Sequence, residues 1–264
     1  MRNRIIGAIL VAAVCLPPLI LGGTLMKVLL AAIALIASYE FTSIRHKSFN
    51  VLLFILLAAF IFVIQFFPQR STGIILTFLI VLFLSGILFE DVTMDDISST
   101  FMMGVILAFA IQSVLKIYGD YDYTKIATSR NYLVLAYIAV ASFGCDIAAL
   151  FTGMLFGKHP LIPRVSPKKT VEGALGGWLI GALAAFLFGY FFHIFDPNKT
   201  MLLFYSLTLP LVAQLGDLSF SLIKRNYGVK DYGSLIPGHG GILDRIDSLL
   251  FCLIFFSSTG MLLL

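Results

Sequence analysis

Charge is what this chain has least of. Asp, Glu, Lys and Arg make up 12% of its 264 residues, hydrophobic residues make up 59%, and the mean hydropathy is +1.00. Soluble globular domains carry about 25% charged residues, so a water-soluble fold is excluded. Also missing is any polar stretch long enough to fold by itself. Apolar runs of about 17 residues or more, enough to cross a hydrocarbon core of ~30 Å, recur along the whole length. These absences predict an all-α, polytopic integral membrane protein forming a single domain over residues 1–264. The three cysteines, Cys15, Cys145 and Cys252, are far apart and show no CxxC or Cys/His spacing, which leaves them as small buried hydrophobes. The opening MRNRIIGAILVAAVCLPPLILGG lacks a clear cleavage site before a soluble region, so it reads as an uncleaved first span. A net charge of +4 gives no ground for a nucleic-acid partner.

What is present is a series of nine candidate spans, at 5–22, 25–43, 51–67, 73–89, 102–117, 132–156, 174–195, 201–222 and 248–264. Pro17 and Pro18 interrupt the first, which predicts a tight hairpin or a less regular start. With nine spans, the amino terminus and alternate loops share a side that holds most of the Lys and Arg. That bias makes it the cytoplasmic side and puts both basic loops, 157–173 and 223–247, within reach of cytosolic metabolites. Pairs such as Gly153/Gly157, Gly173/Gly177 and Gly177/Gly181 signal close helix packing. YGDYDYTK (118–125) reads as an interfacial aromatic belt, EDVTMDD (90–96) as a solvated acidic loop, and His46, His159 and His193 as residues at membrane ends.

The exceptional stretch is KDYGSLIPGHGGILDRID (230–247), charged and glycine-rich between two apolar runs. Just before it, Gln214, Asp217, Ser221 and Lys224 share one helical face, with Asp217 on the order of 10 Å below the basic membrane edge. A carboxylate at that depth needs a counter-charge, a metal or a wet cavity. Asp244 and Asp247 are likewise three apart, and antiparallel helices would bring them to Asp217. Three hard carboxylates beside Lys224, Arg225, Lys230 and Arg245 point to Mg²⁺ bridged to phosphates, in a polar cavity open to the cytoplasm. Gly238, Gly240 and Gly241 offer backbone N–H groups to phosphate oxygens, although neither a Walker A nor a dinucleotide fingerprint is present. Asp146 is a further intramembrane carboxylate. In GKHPLIPRVSPKKTVEG (157–173), Ser166 and Pro167 predict a helix start with Lys168 and Lys169 in its first turn, where an anionic ligand would offset them.

SLIKRNYGVKDYGSLIPGHGGILDRID (221–247), together with SPKKTVEG and Asp146 ahead of it, resembles the signature of the phosphatidate cytidylyltransferases, also called CDP-diacylglycerol synthases. The resemblance is specific over 146–173 and 217–247. It implies Mg²⁺-dependent reaction of CTP with phosphatidic acid to give CDP-diacylglycerol and pyrophosphate, in the cytoplasmic (inner) membrane of a bacterium, with the catalytic spans and loops in 131–264 and hydrophobic spans in 1–130. It implies Asp217 and Asp244 as metal ligands, with Asp247 assisting them or holding Arg245. A second, monovalent ion is left open. Lys224, Arg225, Lys230 and Arg245 would bind phosphates of either substrate, and Lys168 and Lys169 the triphosphate or the lipid headgroup. Ser221, Asp231 and His239 also fall within the signature; Ser221 shares the Asp217 face and His239 is placed to contact phosphate. A homodimer is left open. Two alternatives remain: a CTP-dependent polyisoprenoid or phytyl alcohol kinase, and a cation- or proton-coupled transporter built on Asp146, Asp217 and Asp244.

Overall fold

The structure, a computed structural model, describes residues 13–45, 50–118, 131–196, 198–235 and 240–262. His239 and the YGDYDYTK tyrosines Tyr121 and Tyr123 lie outside the described residues, as do His46 and the basic residues of the extreme amino terminus. The architecture is helical, in the order α1 (helical at 13–21), α2 (Gly23–Arg45), α3 (Val51–Phe66), α4 (Ser71–Leu88), α5 (Met94–Tyr118), α6 (Asn131–Phe156), β1 (Pro160–Ile162), β2 (Ser166–Thr170), α7 (Val171–Phe191), α8 (Lys199–Asn226) and α9 (Leu243–Leu262). Among the described residues, six helices are long and apolar enough to cross a membrane. The expected nine is not reached by that measure. The helix α1 is only partly described, α3 has 16 residues, and α9 opens with Asp244, Arg245 and Asp247 before turning apolar.

Local chemistry sets the element boundaries. Gly22 and Gly23 both take positive φ, 63° and 56°, so the break between α1 and α2 sits on the two residues that tolerate it. The helix α5 begins at Met94, eight residues before its apolar run. Thr93 N–H donates to Asp96 Oδ2 at 2.8 Å, while Thr93 Oγ1 accepts from Asp96 N–H at 3.3 Å. Asp96 is therefore a buried reciprocal cap and not part of a solvated acidic loop, whereas Glu90, Asp91 and Asp95 are exposed as expected.

The chain forms two compact units: residues up to Gln112 with Asp231–Arg245, and Ser113–Lys230 with Ile246 onward. Compactness thus groups the loop before α9 with the amino-terminal helices, whereas span order groups it with the later ones. In the first unit α3 buries Leu53, Leu57, Phe60 and Ile61, and Phe60 stacks on Phe78 of α4 with ring centroids 4.0 Å apart. In the second unit α7 is built inside out. Gly173, Gly177, Gly181 and Ala185 are buried, and an added Cβ at Gly177 would stand 2.6 Å from Ala149 Cβ of α6. Leu175, Leu179, Leu183 and Leu187 form the exposed stripe. Small residues toward the neighbouring helix and leucines outward is the pattern of a helix solvated by lipid, because close backbone approach, not hydrophobic exclusion, holds such helices together. The Gly173/Gly177 and Gly177/Gly181 pairs serve this packing as expected and Gly153 faces Gly173, whereas Gly157 lies exposed just past α6, against Thr170 of β2 and not against a helix.

Candidate active site

The polar face of α8 meets a hairpin that the sequence did not announce. Ser166–Thr170 is not a helix start: it pairs antiparallel with Pro160–Ile162, Thr170 standing opposite Pro160 and Ser166 opposite Ile162. The cap is Thr170, whose Oγ1 accepts the Gly173 N–H at 3.1 Å, so α7 starts at Val171 with Glu172 in its first turn. Lys168 and Lys169 consequently lie on a strand, and the expected placement in a helical first turn is wrong. The physical reason is that a five-residue extended segment satisfies its backbone across the hairpin, leaving the capping role to the last polar residue before the apolar run. The hairpin base is tied by Glu172, which accepts from the Lys158 and His159 backbone N–H groups at 3.0 and 3.2 Å and faces His159 Nδ1 at 2.5 Å.

From this strand Lys169 Nζ forms an ion pair with Asp217 Oδ2, both side chains half-buried. Ser221 Oγ, one turn further along α8, donates to Asp217 Oδ1 at 3.4 Å. Gln214, one turn earlier, donates to the Ala174 carbonyl at 2.8 Å and so fastens α8 to α7. A cavity of about 500 Å³ opens here, lined by Asp146, Lys168, Lys169, Gln214 and Asp217 together with Leu150, Met154, Leu161 and Leu218. Asp146 and Asp247 share the Ser248 hydroxyl, which donates to Asp146 Oδ2 at 2.9 Å and lies 3.5 Å from Asp247 Oδ1. The buried Asp247 also accepts the Ser248 N–H at 2.9 Å and stands 4.0 Å from the equally buried Lys224. Asp146, Asp217 and Asp247 are near enough for their charges to interact. Ser248 was not singled out by the sequence, because a serine among apolar residues carries no signal until the helices are packed.

Other expected site residues are placed differently. Arg225 is a strut: its Nε donates to the Val165 carbonyl of the hairpin turn at 3.2 Å and its Nη1 to the Val229 carbonyl at 3.0 Å. The helix α8 ends at this point with Gly228 at φ 67°. Asp244 accepts the backbone N–H groups of Tyr232 at 2.7 Å and Gly241 at 3.1 Å, so the Gly241 amide is engaged inside the loop. An added Cβ at Gly240 would meet Asp244 Oδ2 at 3.2 Å. Lys230, Asp231 and Arg245 are exposed. Glu40 of α2, which the sequence reading passed over, accepts the N–H groups of Ile242 and Leu243, each at 2.9 Å. A lone carboxylate in an apolar span was the available signal.

The cytidylyltransferase family pattern matches residues 2–263. The chain is 35% identical over 263 residues to a protein of Staphylococcus haemolyticus named phosphatidate cytidylyltransferase, 96% of each chain being covered. It is 35% identical over 257 residues to the protein of that name from Staphylococcus saprophyticus, and 33% over 261 residues to that of Staphylococcus aureus, again with 96% of each chain covered.

Proposed function

The chain belongs to the cytidylyltransferase family, and from that premise we propose that it is a phosphatidate cytidylyltransferase of a bacterial inner membrane, moving the cytidylyl group of CTP to phosphatidic acid with release of pyrophosphate. One observation carries the reading to this chain. The cavity is lined both by charged groups, including the Lys169–Asp217 ion pair and Asp146, and by leucine and methionine side chains, a combination suited to a phosphate that carries acyl chains. The preference for Lys and Arg in the loops 157–173 and 223–247 supports a cytoplasmic active site.

A phosphate oxygen of phosphatidic acid bonds to the α-phosphorus of CTP as the α–β bridging P–O bond breaks, its electron pair leaving with pyrophosphate. Phosphomonoesters are largely ionised at neutral pH, so no strong general base is required. In this scheme Lys169 exchanges Asp217 for a phosphate, Lys168 on the same strand attracts the triphosphate, and Ser221 keeps the Asp217 carboxylate oriented. Lys224 neutralises Asp247, and Arg225 fixes the hairpin against the end of α8. Lys230, Asp231, Arg245 and His239 remain proposed phosphate-contacting residues.

The donor set is compatible with Mg²⁺. Asp217, Asp146 and Asp247 are hard oxygen donors within electrostatic reach of one another, with Asp244 the further proposed ligand from α9. Among the described residues no three His, Cys, Asp or Glu side chains form a ligand cluster; in the proposed reaction the ion would take one or two of these carboxylates and complete its shell with substrate phosphates and water. Bound there, Mg²⁺ would neutralise charge developing on the phosphates. The test is transfer of [α-³²P]CTP label into chloroform-extractable lipid by purified protein with phosphatidic acid. Labelled lipid that disappears with EDTA and returns with Mg²⁺ supports the reading. Label entering lipid only from γ-labelled CTP with an isoprenoid alcohol would make the protein a kinase instead.

A further inference from the structure

We propose that Glu40 is a positioning residue of the transferase, holding residues 240–243 and the first turn of α9 from a helix two hundred residues away in sequence. The inference rests on the proposed function for its catalytic consequence, and on geometry alone for the loop. Glu40 is 3% exposed, five residues before the end of α2. Its two oxygens divide between two donors: Oε1 accepts from Ile242 N–H and Oε2 from Leu243 N–H, both at 2.9 Å. These amides open α9, where N–H groups have no partner within the helix and a negative charge is favoured.

Two glycines are cut to the same carboxylate. A Cβ on Gly241 would stand 2.6 Å from Glu40 Oε2, and one on Gly233 would stand 2.8 Å from Oε1. Gly233 and Gly241 therefore make room for an acidic side chain of the protein itself. Asp244 adds the N–H groups of Tyr232 and Gly241. Between them the two carboxylates hold four backbone amides at the start of α9. Asp244 and Arg245 lie in that first turn, so the aim of these signature side chains depends on a residue outside the signature. A carboxylate holding two backbone amides tolerates little substitution: Gln keeps one acceptor and turns an N–H₂ group toward a donor.

The experiment compares wild type, Glu40→Gln, Gly241→Ala and the double variant Glu40→Asp/Gly241→Ala, purified in detergent, by hydrogen exchange and by steady-state label transfer. Glu40→Gln should speed exchange in the peptide covering 240–247 by about tenfold while 51–88 and 131–226 exchange as in wild type. Its kcat should fall roughly tenfold with KM for CTP changed less than about twofold, the signature of misaligned groups rather than lost substrate contacts. Gly241→Ala should reproduce both effects, and adding Glu40→Asp, which withdraws the carboxylate by one methylene, should recover part of each. Exchange that stays at the wild-type rate, or rises equally along the whole chain, overturns the proposal, as does faster exchange at 240–247 with kcat unchanged. A wild-type protein that transfers no label defeats the proposed function, while the exchange comparison still decides whether Glu40 holds the loop.

Discussion

The cavity-lining stretch of α8 and the first turn of α9 each present an aspartate, and the two meet different kinds of partner. Asp217 meets side chains, the Lys169 ammonium and the Ser221 hydroxyl, beside an open cavity. Asp244 meets the backbone, taking the amides of Tyr232 and Gly241. A side-chain partner can leave by changing rotamer, in nanoseconds and without disturbing the chain. A backbone partner leaves only if the loop itself moves. In the proposed reaction Asp217 can therefore trade Lys169 for a ligand by a side-chain motion, whereas any change at the Tyr232 and Gly241 amides held by Asp244 requires the backbone to move.

Substitution of the two aspartates should separate these cases most sharply. Asp217→Asn and Asp244→Asn are both expected to reduce label transfer by about a thousandfold or more, the scale seen when a central charge of a preorganised site is removed. Only Asp244→Asn should also speed amide exchange across 231–243; equal exchange in the two variants would break the contrast. Lys169→Gln comes next, with a fall of roughly a hundredfold in kcat/KM for CTP, and with Asp217 freed of its lysine. Arg225→Lys should cost about tenfold, because an ammonium cannot reach the Val165 and Val229 carbonyls together as the guanidinium does. That loss should appear with faster exchange in 160–170. Ser221→Ala should be the mildest, about threefold or less, since its 3.4 Å bond to Asp217 is long and the ion pair remains.

Much of this was legible before any coordinates. Asp217 stood out because a carboxylate in an apolar helix is expensive, and its face with Gln214, Ser221 and Lys224 followed from helical spacing alone. Asp146 was flagged for the same reason, and it does line the cavity. The hairpin was misread because SPKKT before an apolar run carries a helix-start pattern, and the competing signal, pairing with Pro160–Ile162, is not local. Glu40 carried the same signal as Asp217, but within one turn on its face the polar neighbour is Ser43, without the run of polar residues that marks the Asp217 face. The glycines of 233–241 looked like room for phosphate; for Gly233 and Gly241 the nearest claimant is Glu40.

By itself the sequence determined the solvent, the helical class and the helices that bear the chemistry. Each of those follows from local quantities: mean hydropathy, run length, and the spacing of polar residues along one helix. Only the tertiary structure decided that Lys169 opposes Asp217, that Ser248 joins Asp146 to Asp247, and that Glu40 closes the loop before α9. Those are pairings between groups 48 to 203 residues apart. No spacing rule reaches across such distances, because the partner is selected by which backbones pack closely enough to satisfy a buried charge.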